Sequence, residues 1–250
     1  MAEFTGRRKA VGNKESPSIA AWDETSEPCP LCDGLGYTVS RAETGELVSR
    51  TCRCEIVRQN RRRIQRSGLA GLLERCNFAS FQTPETWQRA AKQAAEEYLT
   101  DCRGKWFFIG GSSGTGKTHL CTAICGQLMA GGVPCRYVQW RGDIPAIKAK
   151  VNDAEAYHEA IWPLKTVRAL YIDDFLKGSV TEADKNIAFD LLNARYANPD
   201  AITIISTEWP IDKILSWDEA IGSRIAERAR EYTLNLRSKQ NWRLREVAGG

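Results

Sequence analysis

Residues 111–118 read Gly-Ser-Ser-Gly-Thr-Gly-Lys-Thr, a pattern whose residue types suit the binding of a phosphate group. An apolar run precedes the pattern and a helical segment follows it, which is the context that a G-x-x-x-x-G-K-[ST] loop requires. Glycines let backbone N–H groups turn inward around a phosphate where side chains would clash. Lys117 is placed to reach the β- and γ-phosphates of a nucleotide, and Thr118 to bind Mg²⁺. The predicted nucleotide-contacting residues are Gly111, Gly114, Thr115, Gly116, Lys117, Thr118 and His119.

A pair of aspartates, Asp173 and Asp174, follows the apolar segment Leu170-Tyr171-Ile172. A phosphate-binding loop needs a metal-holding acid at the end of a neighbouring strand, so Asp173 is the predicted Mg²⁺ ligand. Asp174 is placed to orient or deprotonate the attacking water. A helix cap or a turn is the alternative interpretation of such a pair. Because aspartate is shorter than glutamate, we expect slow hydrolysis, which suits a switch better than a motor.

Two features further along the chain belong to the same chemistry. The apolar run 202–206 ends in Thr207 and Glu208, where a polar side chain is expected between the metal-bound acid and the γ-phosphate, although an acid beside phosphate is electrostatically unfavourable.

Arg224 lies within a predicted helix. It is interpreted either as a surface ion pair with Glu219 or Glu227, or as an arginine finger that completes a neighbouring subunit's site. The predicted catalytic residues are Lys117, Asp174 and Arg224.

Four cysteines near the start of the chain have metal-ligand spacing. Cys29 and Cys32 form a C-x-x-C turn, Cys52 and Cys54 form a C-x-C pair, and the segment between the pairs alternates like a β-hairpin around Gly45. Four thiolates at the base of a hairpin predict a tetrahedral zinc site, and a full set of four ligands makes that zinc structural. A redox dithiol and unliganded thiols are the alternatives.

Residues 55–75 are predicted to be helical and strongly basic. The segment is interpreted either as a solvated face of a connector or as a contact to an acidic partner protein or nucleic acid, and both remain open. The arginines concerned are Arg58, Arg61, Arg62, Arg63, Arg66 and Arg75.

The composition indicates a cytoplasmic globular protein. The 250 residues are 42% hydrophobic and 26% charged, and the formal net charge of +4 permits nucleic-acid contact without indicating it. No apolar stretch approaches the length of a membrane span, and the N-terminus lacks the apolar segment of a secretion signal. Nine cysteines beside a phosphate-binding loop favour a reducing compartment.

Apolar strands alternate with helical segments after residue 78, which predicts a parallel α/β sheet covered on both faces. The predicted strands include 135–140, 169–172, 201–206 and 232–236, and the helical segments between 144 and 161 are predicted to break at Pro163. We expect a flexible tail over 1–27, a zinc-binding domain with the basic helix over 28–76, and an ATPase domain over 77–250.

The ordered set of motifs resembles the DnaC-type helicase loaders, and the phage-encoded members in particular. The segments that carry the resemblance are 111–120 (ending GKTHL), 170–175 (LYIDDF), 191–196 (LLNARY) and 222–225 (GSRI). The resemblance implies an AAA+ ATPase with sheet order 5-1-4-3-2, Arg224 as the finger, and Arg243 in Asn241-Trp242-Arg243 as a nucleotide sensor. Thr207-Glu208 departs from the family, which has an asparagine at this strand tip.

The resemblance also implies the function. It predicts an ATP-dependent loader that binds a hexameric replicative helicase through the zinc domain, places it on single-stranded DNA and self-associates, with ATP or ADP, Mg²⁺ and Zn²⁺ bound. The alternatives are an IstB-type transposition helper ATPase and a nucleotide-binding zinc adaptor without turnover. Phe175 with Lys177, and Trp140 with Arg141, are candidates for stacking on single-stranded DNA, with core packing as the alternative for both rings.

Overall fold

The architecture is that of a computed structural model, which describes residues 29–42, 44–66 and 70–236. Its strands are β1 (Tyr37–Arg41), β2 (Leu47–Thr51), β3 (Trp106–Gly111), β4 (Cys135–Gln139), β5 (Ala169–Asp173), β6 (Ile202–Thr207) and β7 (Thr233–Leu236). Its helices are α1 (Arg53–Arg66), α2 (Ala70–Arg75), α3 (Thr86–Thr100), α4 (Lys117–Ala130), α5 (Trp140–Lys148), α6 (Ala154–Thr166), α7 (Glu182–Ala197), α8 (Ile211–Trp217) and α9 (Glu219–Arg228). The expected tail over 1–27 and the expected sensor Arg243 lie outside the described residues. Within those residues, no helix has the length and apolar character needed to cross a membrane.

Five parallel strands form the central sheet in the order β4-β5-β6-β3-β7. If β3 is counted as the first strand of this sheet and β7 as the fifth, the order read from the β7 edge is 5-1-4-3-2, as the resemblance implies. The carboxyl ends of parallel strands share one edge of a sheet, so the loop after β3 and the acids after β5 meet there. The predicted α/β fold class is confirmed.

Alternation along β3 assigns its side chains to the two faces of the sheet. Phe107 and Ile109 join the apolar cluster formed with α3 and α4, while Trp106 and Phe108 join the cluster formed with α5 to α9. Strand side chains alternate with a period of two, so a run that is apolar at every position must be covered on both sides. This explains why β3 is buried along its whole length.

Arg195, in the LLNARY segment on α7, connects the sheet to α6 and has no solvent exposure. Its guanidinium donates to the carbonyls of Leu164, Val167 and Ile202 at 2.9, 2.9 and 2.6 Å, and to Thr203 Oγ1 at 2.8 Å. Burial lowers the pKa of Arg195 to about 10. The arginine therefore satisfies backbone carbonyls where β6 begins and α6 ends, which is a structural role.

The segment after the cysteines packs on the parallel-sheet domain. Helices α1 and α2 contact α4, and Leu72 and Leu73 pack against the cluster that contains Phe107. Arg53, between two of the cysteines, donates to the carbonyl of Gly131 at the end of α4 at 3.1 Å. The domain boundary near residue 76 stays a prediction, and the segment on its N-terminal side is in direct contact with α4.

Two predicted element boundaries are wrong. Trp140 begins α5 instead of ending β4, because its ring packs edge-on against Phe175 at 4.8 Å in the core. Pro163 lies inside α6 and does not break it. The carbonyl that loses its partner there belongs to Glu159, an exposed residue, where solvent can supply the missing hydrogen bond.

Candidate nucleotide site and metal centre

The loop between β3 and α4 has the backbone that a phosphate cradle needs. Gly114 and Gly116 have φ of 74° and 84°, in the left-handed region that favours glycine. A Cβ at Gly116 would lie 2.9 Å from the Phe81 ring. Lys117 Nζ donates to the carbonyls of Gly111 and Ser112 at 3.0 and 2.7 Å, and burial lowers its pKa. The loop therefore presents N–H groups and one buried cation.

Gly111 is needed for a different reason. Its φ is 129°, and a Cβ there would lie 2.5 Å from the backbone of Leu236 in β7. The close approach of β3 and β7 therefore explains this glycine, while its carbonyl also accepts from Lys117. Sequence reasoning attributed it to phosphate binding alone.

Asp173 is buried and accepts hydrogen bonds from several hydroxyl groups. Thr118 Oγ1 donates to Asp173 Oδ1 at 3.2 Å, and the Tyr171 hydroxyl donates to the same oxygen at 2.7 Å. Tyr137 donates to Oδ2 at 3.2 Å, and Ser206 Oγ also donates to the carboxylate. Burial and the Asp173 charge raise the pKa of Tyr137. The threonine–aspartate pair has the hard oxygen ligands that Mg²⁺ prefers.

Sequence reasoning missed the partners that orient Asp173. Tyr171 lies two residues before Asp173 on β5 and therefore shares its face of the sheet. Tyr137 is in register with Tyr171 on the neighbouring strand. The alternation of side chains along β5 could have predicted that Tyr171 lies beside Asp173. The contacts of Tyr137 and Ser206 with Asp173 could not be predicted in this way, because they depend on the order and register of the strands.

Asp174 and Glu208 are joined by Lys177 at the same edge of the sheet. Lys177 Nζ lies 3.2 and 3.1 Å from the two carboxylate oxygens of Asp174, and 3.2 Å from Glu208 Oε1.

Of the two strand-tip candidates, Glu208 borders the cavity described next, and Thr207 does not. Thr207 is buried and bonds to the carbonyl of Phe175 and the N–H of Trp209.

These groups border one cavity of about 470 Å³, a size typical of small-molecule sites. Its walls are the loop residues 113–119, the carboxylates of Asp174 and Glu208, Lys177, and residues of the preceding segment, namely Leu72, Cys76, Ser80, Phe81, Gln82 and Gln88. His119 lies at the rim, where Nε2 is 3.0 Å from the carbonyl of Asn77 and 3.2 Å from Ser80 Oγ. A glycine cradle, a buried ammonium and a hydroxyl–carboxylate pair fit a nucleotide with its metal.

Arg224 lies on α9 and does not border that cavity. Its Nε donates to Asn193 Oδ1 at 3.1 Å and its Nη1 to the carbonyl of Ala220 at 2.7 Å, while the guanidinium lies over the rings of Phe189 and Tyr196. Its hydrogen bonds therefore go to neither of the glutamates expected in the ion-pair interpretation. The side chain is held on a surface of its own subunit.

The four cysteines of the hairpin form a buried cluster. Their sulfur atoms all lie within 4.8 Å of one another, with Cys29–Cys52 and Cys32–Cys54 distances of 3.9 and 3.4 Å. A tetrahedral site with metal–sulfur bonds of about 2.3 Å has sulfur atoms about 3.8 Å apart, so the cluster fits zinc. Burial opposes ionisation of Cys32, but the N–H of Gly36 and the neighbouring thiols lower its pKa to about 7.

The aromatic rings proposed for stacking on DNA are not accessible. Phe175 is fully buried and Trp140 is 4% exposed, so the core-packing alternative is correct for both. Their basic neighbours remain at the surface. Arg141 and Lys177, together with Lys148, border a second cavity of about 350 Å³ beside α5.

The sheet order and the loop between β3 and α4 define an AAA+ ATPase domain. The model of the family "IstB-like ATP binding protein" matches residues 41–232, so the chain belongs to this family of ATP-binding AAA+ proteins. The resemblance to DnaC-type proteins is confirmed.

Three relatives illustrate the range of similarity. The chain is 31% identical to the uncharacterized protein YqaM of Bacillus subtilis (strain 168), over 78% of this chain and 66% of YqaM. It is 29% identical to the phage-like element PBSX protein XkdC of the same organism, over 93% of this chain and 89% of XkdC. It is 26% identical to the replicative helicase loader DnaC of Escherichia coli (strain K12), over 68% of this chain and 69% of DnaC. The fold is similar to the crystal structure of the DnaC helicase loader, with a TM-score of 0.55 at 18% identity, over 66% of this chain and 97% of that one.

Proposed function

We propose that the chain is an ATP-dependent helicase loader, which binds a hexameric replicative helicase and places it on single-stranded DNA when replication begins. The observation that carries the proposal is the combination of a nucleotide cavity with a four-cysteine module in a chain that is similar to the loader DnaC. An ATPase core alone would fit many functions, whereas the module resembles the zinc-bearing domain that some DnaC-type loaders use to bind the helicase.

Four side chains at the loop after β3 and at the end of β5 have roles in the proposed reaction. Lys117 and the loop N–H groups hold the phosphates, Thr118 and Asp173 hold Mg²⁺, and Asp174 orients the attacking water. The metal, when bound, neutralises phosphate charge. Arg224 borders no part of its own cavity, and it acts on the cavity of a neighbouring subunit, as the resemblance implies. Hydrolysis is slow in the isolated chain and is stimulated by assembly or DNA.

The module that carries the cysteines is the proposed helicase-binding surface. Exposed apolar side chains are concentrated there, which is typical of a protein-binding surface. They are Leu31, Leu35, Tyr37, Val39 and Leu47, with exposed fractions of 47–69%.

Single-stranded DNA is the proposed ligand of the second cavity. Three cations border this cavity, namely Arg141, Lys148 and Lys177. Lys148 pairs with Asp184, and Lys177 pairs with Asp174 and Glu208, so Arg141 is the cation among the described residues that these ion pairs leave for a phosphate. Salt-dependent binding without sequence preference is expected from such contacts.

Co-elution of the full chain with the host's replicative helicase tests the loader function. We expect a complex with the wild type, and loss of that complex when Leu35 and Val39 are both replaced by Ser. Val151→Ser is the matched control, because Val151 is an exposed apolar residue outside the module. Absence of a complex with the wild type would reject the loader. The family description favours one other function, that of a transposition helper, which predicts binding to a transposase and to duplex DNA instead.

A further inference from the structure

Lys177 makes ion pairs with two carboxylates of the nucleotide cavity. Its ammonium lies 3.1–3.2 Å from both oxygens of Asp174 and 3.2 Å from Glu208. The three side chains are between 24% and 39% exposed, so water screens the pairs only in part. Both oxygens of the proposed catalytic aspartate are therefore occupied by one cation of the same chain.

The backbone after β5 is shaped to form this contact. Asp174 and Leu176 have φ of 52° and 60°, in the left-handed region, which is unfavourable for a residue such as leucine. The Lys177 N–H donates to the carbonyl of Asp174 at 3.0 Å, and the Phe175 N–H donates to that of Ser206 at 2.8 Å. Leu176 is fully buried, which stabilises the turn. This tight turn places Lys177 over Asp174.

The same lysine accounts for an acid at the tip of β6. Glu208 borders the cavity where nucleotide phosphate is expected, and a lone carboxylate there would repel it. Pairing with Lys177 compensates that charge. Glu208 in turn holds Lys177 beside Asp174, so the three residues form one unit.

We propose that Lys177 is a positioning residue that keeps basal ATP hydrolysis low by holding Asp174, which rests on the proposed ATPase function. In the reaction, the oxygen of water attacks the γ-phosphorus, the bond from that phosphorus to the β–γ bridging oxygen breaks, and ADP leaves. The proton of the attacking water passes to Asp174. A general base needs a free oxygen within hydrogen-bond reach of that proton. Lys177 takes one lone pair of each Asp174 oxygen and fixes the direction of the carboxylate, so Asp174 is not free to turn toward the attacking water.

Replacement of the lysine by a neutral side chain tests the proposal in the full chain. Lys177→Met is expected to raise the kcat of basal hydrolysis about tenfold, the scale of one charge-assisted hydrogen bond. The affinity for a fluorescent ATP analogue is expected to fall and KM to rise, because Glu208 loses the cation that compensates its charge, so kcat is measured at saturating ATP. Lys177→Gln is measured alongside, with thermal unfolding as the check on folding.

Two further variants separate positioning from a general effect of charge. Lys177→Arg keeps the cation and is expected to hydrolyse ATP at the wild-type rate. Lys185→Met removes a lysine that pairs with Asp218 at 2.9 Å, away from both cavities, and is expected to leave the rate unchanged.

Each other outcome is decisive. A lower kcat in Lys177→Met would mean that the lysine assists the reaction. An unchanged kcat would mean that Lys177 does not restrain hydrolysis by Asp174. No hydrolysis in any variant would likewise mean that there is no basal rate for Lys177 to keep low. Each of these results overturns the positioning role even if co-elution with the helicase succeeds. Conversely, failed co-elution together with a raised kcat would reject the loader and leave the role of Lys177 standing.

Discussion

Thr118 on α4 donates a hydrogen bond to Asp173 at the end of β5, at 3.2 Å and across 55 positions of the chain. The threonine follows the lysine of the phosphate loop, and the aspartate is fixed by three further hydroxyl groups. The two oxygen groups suited to Mg²⁺ are therefore brought together by the fold itself, which supports a preorganised site.

Replacement of Lys117 is expected to weaken nucleotide binding strongly. Its buried ammonium is the cation of the loop, and charged hydrogen bonds contribute about 1.5–3 kcal/mol each, so Lys117→Ala should weaken ATP binding about 10- to 100-fold or more. Titration with a fluorescent ATP analogue measures this. Lys150→Ala, at an exposed position, is the control. Unchanged affinity in Lys117→Ala would reject the phosphate site.

Arg224→Ala is expected to separate binding from turnover. Because Arg224 borders no part of its own cavity, the variant should bind ATP normally yet lose assembly-stimulated hydrolysis, by about 10³-fold or more if it acts as a finger. Hydrolysis is measured in the assembled complex, with the exposed Arg230→Ala as control. Undiminished stimulation would show that Arg224 serves only its contacts with Asn193 and the two rings.

Removal of zinc is expected to unfold the hairpin and to spare the central sheet. The cysteine cluster is separate from both apolar clusters of the sheet, and zinc can contribute on the order of 10 kcal/mol to such a module. After chelation, hydrogen exchange should become fast in residues 37–51 and remain slow in β3. Cys54→Ser should lose the metal, whereas Cys102→Ser, outside the cluster, should keep one zinc per chain. Elemental analysis without zinc in the wild type would contradict the prediction.

Arg195→Lys is expected to destabilise the fold by about 2–4 kcal/mol. A single ammonium lacks the planar fork that reaches Leu164, Val167 and Ile202 together, so buried carbonyls lose their donors. Urea unfolding measures the change in free energy. Arg103→Lys, at a side chain that is 78% exposed, should cost less than about 0.5 kcal/mol. Equal effects of the two substitutions would contradict the structural role of Arg195.

Acid should destabilise the protein partly through Asp184. Burial opposes ionisation of Asp184, but hydrogen bonds from Thr181 and Lys148 outweigh it and lower its pKa below the unfolded value of 3.8. The stabilisation is therefore complete above the unfolded pKa and is lost as pH falls through the folded pKa. Asp184→Asn should cost about 1 kcal/mol at pH 7 and make the fall in unfolding free energy below pH 4 shallower. Glu182→Gln, at an exposed neighbour, should leave the slope unchanged.

Local patterns were sufficient to predict the parts of the site that are contiguous in the chain. The loop at Lys117 is a short motif between a strand and a helix, and Asp173 ends an apolar strand, so each could be located without tertiary information. The cysteine pairs were equally local, because a hairpin brings its two ends together. The role of Arg224 between subunits remains a prediction.

Residues that meet through strand register could not be found from spacing. Tyr137, Tyr171 and Ser206 reach Asp173 from three strands, and their contact depends on the order of those strands in the sheet. The pairing of Lys177 with Glu208 joins two loops and depends on a left-handed turn at residues that are not glycine. Burial of Trp140 likewise follows from tertiary packing, which changed a predicted strand end into a helix start.

Arg53 lies between two ligands of the metal centre and donates to the carbonyl of Gly131, where α4 ends. Helix α4 has 14 residues and is therefore about 21 Å long, with Lys117 and Thr118 at its opposite end. The two ends of α4 therefore belong to different parts of the molecule: its first turn carries the lysine and threonine of the phosphate loop, and its last turn meets the segment that carries the cysteines. One helix is thus a shared structural support for the four-cysteine segment and the phosphate loop.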